Sequence, residues 1–272
     1  MRGAAHLLGL AALLGASSPQ LARPASTEGP AAAVSPEVAR APRLFLSAAI
    51  DVGFLYLRPR LSAGWGEPFG AWIGVDANPI VNGEGLGAWA GLRVALPFID
   101  LRVGARYFSA FTASFLAPAE AYSRASIELR DGPSARWLDL EAELSWSAGF
   151  GSGQLYGEHA VTYAVGVSDG YWLYDETLRL VLDPPWAWRQ RIGAAFYVDS
   201  AKRFAMGPIL EVAGSPGRGT VIVRFGGAIR MRVYDDLEVR GTFVPVLASP
   251  DQLGLRGADA FLVGIRYLWA TD

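Results

Sequence analysis

From Leu44 to Trp269 the chain repeats one pattern, in which apolar side chains occupy every second position and charged, small or polar ones fill the gaps. Trp137 to Ser147 shows it most plainly: Leu138, Leu140, Leu144 and Trp146 alternate with Asp139, Glu141, Glu143 and Ser145. Successive side chains of a β-strand point to opposite faces, so this spacing predicts a strand with one greasy wall and one acidic wall. A soluble enzyme rarely buries such an acidic row or exposes such an apolar one. A strand wall with lipid on one side and a polar interior on the other accommodates both.

The same reading predicts strands over Leu44 to Arg58, Phe69 to Ala77, Leu86 to Leu96, Ile99 to Phe111, Trp137 to Ser147 and Gln154 to Gly166. It continues with Tyr171 to Leu182, Trp186 to Val198, Phe204 to Ala213, Thr220 to Val233, Leu237 to Leu247 and Ala258 to Trp269. Ala125 to Arg130 is a thirteenth candidate. Turn signals lie between them at Pro97-Phe98, Gly149 to Gly153, Asp183-Pro184-Pro185, Ser215-Pro216-Gly217, Asp235-Asp236 and Ser249-Pro250-Asp251. Single-chain bacterial barrels normally have an even number of strands. The expected fold is therefore all-β: an antiparallel up-and-down transmembrane β-barrel of about twelve strands, with ten and fourteen as alternatives. Either Ala125 to Arg130 or the segment from Tyr171 is then a loop excursion. Aromatics near segment ends (Tyr171, Trp172, Tyr174, Trp186, Trp188, Tyr197, Tyr267 and Trp269) suit girdles at two membrane surfaces.

The closing segment adds a second signal. Phe261, Val263, Ile265, Tyr267 and Trp269 share one parity, and Ala260, Gly264 and Arg266 the other. Gly264, Tyr267 and Trp269 resemble the glycine-x-x-aromatic-x-aromatic signal that ends many Gram-negative outer-membrane barrels. Leu262 stands where that signal usually has a polar residue, and Ala270-Thr271-Asp272 follow the last aromatic. The resemblance implies an outer-membrane location, outer-membrane lipid as surroundings and handling by the barrel-assembly machinery.

The beginning of the chain fits secretion. Arg2, an apolar run from Leu7 to Leu14 and small residues from Gly15 to Ser18 have the order of a signal peptide, assigned to residues 1–22. Residues 23–43, rich in Ala, Pro, Ser and Glu, read as a disordered periplasmic linker. The barrel is expected over 44–272. No later apolar run approaches the roughly 20 residues of a membrane helix. The formal charge of −2 is spread along the strands, and no basic patch with interleaved aromatics points to nucleic acid.

Inward parity collects the candidate lumen-lining residues: Arg93, Arg102, Arg106, Asp139, Glu141, Glu143, Arg189, Arg191, Glu211, Arg224, Arg230, Arg232, Glu238, Arg240 and Arg266. Charged walls can orient a small solute or ion in a narrow channel. Nearly balanced charges can equally pair across the lumen and close it as a structural barrel. A membrane-embedded lipid-modifying hydrolase is a second class, for which His159 is the one histidine after the leader, with Ser145 and Ser147 on the preceding strand. No nucleophile motif accompanies them, so no enzyme is expected. A secreted lipocalin-like binding barrel is a third class; it needs the apolar face inside. Neither a transition-metal ligand spacing nor a phosphate-binding loop with its helix is present, so no cofactor is expected.

Overall fold

A computed structural model describes residues 42–53, 56–82, 85–128, 133–234 and 236–271, so the expected leader and nearly all of the linker lie outside the described residues. The strands are β1 (Arg43–Gly53), β2 (Tyr56–Gly66), β3 (Trp72–Asn82), β4 (Gly85–Ala95), β5 (Ile99–Ser114), β6 (Ser134–Phe150) and β7 (Gly153–Val165). Then come β8 (Leu173–Asp175), β9 (Leu180–Leu182), β10 (Trp186–Tyr197), β11 (Phe204–Ser215), β12 (Thr220–Arg232), β13 (Leu237–Val244), β14 (Val246–Ala248) and β15 (Asp259–Ala270). Neighbours in the main sheet are antiparallel, and β1 pairs with β15 from Ser47↔Ala270 to Gly53↔Gly264, which closes the sheet on itself. β13 and β14 form one stave interrupted at Pro245, both paired to β12. The barrel thus has twelve staves, while β8 and β9 form a separate two-stranded ribbon.

Period-two sequence becomes a two-sided wall. Leu44, Leu92, Val103, Leu140, Ile192, Phe225 and Ile265 project outward and are exposed, whereas Asp139, Glu158, Arg191 and Glu211 on alternate positions are buried. Closure leaves no free sheet edge, so every stave finds its backbone partners within the barrel, as a hydrocarbon surround demands. A lipocalin-like wall has the opposite sidedness.

Both described ends of the barrel sheet, Arg43 and Ala270, lie at the same rim, with short connections between β2 and β3, β4 and β5, β6 and β7, β10 and β11, and β12 and β13. The other rim carries the long connections 115–133, 166–185 and 249–258. Short turns on one side and long loops on the other match the periplasmic and external sides of outer-membrane barrels.

Several strand expectations need correction. Leu44 to Arg58 is not one strand: the chain reverses between Gly53 and Tyr56, which face each other across the β1–β2 pair. No glycine–asparagine type of dipeptide marks that reversal, so the alternation reads straight through it. Phe69 sits in a turn at φ 61°, and its strand starts at Trp72. Tyr171 to Leu182 folds as the β8–β9 ribbon outside the wall, and Ala125 to Arg130 contains a single helical turn, α1 (Arg124–Glu128). Both candidate excursions are excursions; the missed β1–β2 hairpin restores twelve. A register shift opposite Arg240 to Thr242 also breaks the parity of β15, so Asp259 reaches the lumenal Arg191 although it shares its parity with the outward Tyr267.

Leu140, outward on β6, tests the sidedness. Leu140→Arg is expected to cost roughly 2–4 kcal/mol near the bilayer midplane, whereas Leu140→Phe stays within about 1.5 kcal/mol. Urea titration of vesicle-inserted protein measures both; equal stability of the two variants would reverse the assigned face.

Candidate functional site: a filled lumen and its cap

All fifteen candidate lumen residues lie on the inner side of the wall, and they gather into four groups of ion pairs. In the first, Arg93 contacts Asp76 at 3.1 Å and Asp100 at 2.5 Å, and Arg102 contacts Asp76 and Glu143, each at 3.4 Å. Ser62 donates a further hydrogen bond to Asp76. In the second, Arg106 meets Glu141 at 2.5 Å, Asp139 at 3.0 Å and Asp175 at 3.3 Å, and the Trp137 indole donates to Asp139 at 2.8 Å.

The third group crosses four adjacent staves. Glu158, Arg191, Glu211 and Arg224 are lateral partners in turn on β7, β10, β11 and β12, so sign alternates along one row. Arg191 and Arg224 both donate to Glu211, Arg189 reaches Glu158 at 3.4 Å, and Asp259 accepts from Arg191 at 2.7 Å. In the fourth group Glu238 faces Arg230 at 3.4 Å, Arg232 at 3.9 Å and Arg240. Its lateral partner on β15 is Arg266.

Most of these side chains are buried: Arg106, Arg191, Glu211, Arg224 and Arg230 are each at most 4% exposed, while the side chains of Asp100 and Arg232 keep 22% and 25% of their surface open. A void between Trp89, Arg102, Glu143 and Thr162 has room for about one water molecule. The interior is a packed polar core.

The loop-side rim is sealed by a cap that the alternation pattern did not announce. Leu173, Leu178, Leu180 and Leu182 on and beside the ribbon are at most 1% exposed and pack on Phe108, Trp137, Ala213 and Ile222 of the wall. Asp175 accepts the Thr177 and Leu178 amide N–H groups at 2.6 and 2.9 Å while pairing with Arg106. Arg224 donates to the carbonyls of Leu178, Arg179 and Gly257 at 3.0, 2.7 and 2.5 Å, binding the cap to the row beneath it.

Arg218, in the β11–β12 turn, locks the remaining loops. Its guanidinium lies 5.1 Å from the Tyr122 ring and 5.0 Å from the Trp172 ring, and forks onto Asp251 at 2.6 and 2.8 Å. It also reaches the carbonyls of Glu120 and Val181 at 3.1 and 3.3 Å. Asp251 in turn accepts the Tyr122 amide N–H at 2.9 Å, and burial raises the Tyr122 phenol above its ordinary range, keeping it a donor to Ala117. Four connections meet at one cation. Trp172 and Tyr174 therefore belong to the cap and not to a lipid-facing girdle, and Tyr197 turns inward to donate to Gln154 at 3.3 Å. Trp186, Tyr267 and Trp269 do face outward.

His159 stands on the outer side of β7, where its Nε2 accepts the Trp146 indole N–H at 3.0 Å. Glu158, next in sequence, is turned to the lumen, and so is Ser147. Among the described residues, none gives His159 the nucleophile and orienting carboxylate that a hydrolytic triad requires.

No family model matches the sequence, and no curated protein matches it. Among solved structures, the chain is similar to a NanC porin in a rhombohedral crystal form at 11% identity and a TM-score of 0.35, covering 84% of this chain and 98% of that one. It is also similar to a KdgM porin at 7% identity and a TM-score of 0.42, covering 82% and 98%. A loop-deleted OmpT, an outer membrane protein of Vibrio cholerae, aligns at 7% identity and a TM-score of 0.38, covering 84% and 99%.

Removing the hub of the alternating row should expose its strength. Glu211→Ala leaves Arg191 and Arg224 facing each other without their shared carboxylate, and is expected to cost roughly 3–5 kcal/mol. Refolding titrations of the variant check this, and a loss below about 1 kcal/mol would show that the row is not what holds these staves in register.

Proposed function

We propose that this protein is a passive β-barrel of the outer membrane whose lumen is shut at rest by its own cap and ion pairs, a narrow channel in its closed form. The observation that supports this reading most is the coincidence of an apolar exterior with an interior of buried, paired charges. Outer-membrane lipid surrounds the barrel, the assembly machinery inserts it, and the solutes that fit such a lumen are small molecules or ions. Conduction requires the ribbon and the Arg218 lock to move aside, because both lie across the loop-side mouth.

A purely structural barrel is the second reading, favoured by the burial and pairing of most lumenal charges. A hydrolase is disfavoured by the surroundings of His159, and His159→Ala is expected to leave insertion unchanged.

Planar-bilayer recording separates the two passive readings. Wild-type protein is expected to be silent or to open rarely and narrowly, while Arg218→Ala combined with Asp251→Ala frees the cap and raises the open fraction at least about tenfold, since two buried charge-assisted contacts and two ring contacts are lost together. A lasting wide conductance in the wild type would refute the closed lumen. Silence of both proteins, each shown to be inserted by heat-modifiable gel migration, would favour the structural barrel.

A further inference from the structure

A polar pair interrupts the apolar outer wall where β7 meets β10. His159 and Gln190 are lateral partners in the register, on positions that alternate with the buried Glu158, Arg189 and Arg191. Both are partly exposed on the outer side. The outward positions around them are Leu144, Val161, Ile192, Leu210 and Val212.

Aromatic pairs on the same staves fix the depth. On the loop side Trp186 packs on Tyr163 with ring centroids 4.7 Å apart, and on the turn side Phe196 packs on Phe150 at 5.9 Å. Trp186 and Phe196 lie at the two ends of β10. The ten-residue step between them, at about 3.4 Å per residue and a tilt of about 40°, rises roughly 25 Å, the height of the apolar band of an outer-membrane barrel. Gln190 falls between these two girdles, within the hydrocarbon and away from lipid headgroups.

Neither polar side chain is satisfied there. Among the described residues, none hydrogen-bonds the Gln190 amide. The Nε2 of His159 accepts the Trp146 indole N–H, so the ring hydrogen sits on Nδ1, which is buried with no partner. Turning Gln190 to give its carbonyl to that N–H leaves both amide hydrogens facing lipid. Acyl chains offer neither donor nor acceptor, so an unpartnered amide at this depth is costly.

The surroundings suit the approach of a second wall. The Trp146 indole lies over Gly157 and the Trp188 indole over Gly214, where any side chain would collide with the rings. Both indoles are thus laid down on the staves beside the polar pair, and the relief stays low. A histidine that accepts at Nε2 is uncharged, so two such faces meet without repulsion. Two copies inserted in the same orientation carry Gln190 at one depth. A two-fold axis along the membrane normal then sets amide against amide, each donating to and accepting from the other.

We propose that the outer face of β7 and β10 around Gln190 is a dimer interface whose occupant is a second copy of this chain. This inference does not depend on whether the barrel conducts.

The test exploits the absence of cysteine from the chain. Ile192→Cys places one thiol at the next outward position of β10, and Leu61→Cys places one on β2, six staves away around the ring of twelve. Each full-length variant is refolded into lipid vesicles over a range of protein-to-lipid ratios and treated with a flexible bis-maleimide. Ile192→Cys is expected to link into dimers at ratios where Leu61→Cys, a measure of random collision, does not. Adding Gln190→Leu, which suits lipid and removes the amide, should raise the half-linking ratio at least about tenfold. Heat-modifiable gel migration shows that each barrel is folded. Linking of Ile192→Cys no greater than that of Leu61→Cys would overturn the proposal, and that comparison needs no change at Gln190. A half-linking ratio unmoved by Gln190→Leu would overturn it too.

Discussion

The hydrogen-bond register of the barrel and the pairing of its inner charges are the same constraint seen twice. Glu158, Arg191, Glu211 and Arg224 are backbone partners across consecutive staves and ion-pair partners through their side chains. A slip of one residue between any two of these staves would turn the charges of one strand into lipid and strand their partners inside. Arg102 opposite Glu143 and Arg106 opposite Asp139 impose the same discipline on β5 and β6. Buried ion pairs are weak evidence for stability, because desolvation offsets much of the attraction. Their firmer contribution here is to specify one register among many that twelve similar strands could adopt.

That constraint explains which parts of the structure were legible in the sequence. Side-chain direction in a strand depends only on parity, so the inner and outer walls of β4 to β7 and β10 to β12 follow from spacing alone. The β1–β2 reversal escaped because apolar residues continue through it and no turn dipeptide interrupts them. Tyr171 to Leu182 misled for the opposite reason: a short ribbon alternates too, and nothing local says that its leucines lie inside the mouth and not in the wall. Arg218, Asp251 and Tyr122 are distant in sequence and meet only through the barrel's closure, so no spacing rule could unite them. Residues 59–66, most of β2, lie outside every predicted strand, so spacing assigns no face to the buried Arg60.

Ribbon and ion pairs seal the lumen by different physics. Below the cap, the interior is filled by charges whose partners sit on neighbouring staves. At the loop-side mouth, the ribbon fills it with leucines packed on Phe108 and Trp137, a dry apolar layer over a polar one. Arg224 ties the layers together by donating upward to ribbon carbonyls and sideways to Glu211. The mouth is thus coupled to the wall through Arg224, as it is through the Asp175–Arg106 pair, and movement of the ribbon disturbs the row that sets the register.

The meeting of four connections at Arg218 has a consequence for whatever touches this face of the protein. The exterior of the cap is a composite relief, assembled from residues about 120 to 255 in the chain and held by a buried cation that no visitor contacts. An antibody raised against the folded barrel would read this relief as a discontinuous epitope. A peptide copied from one loop would reproduce little of it, and a substitution hidden beneath the surface could erase recognition without altering any residue the antibody touches.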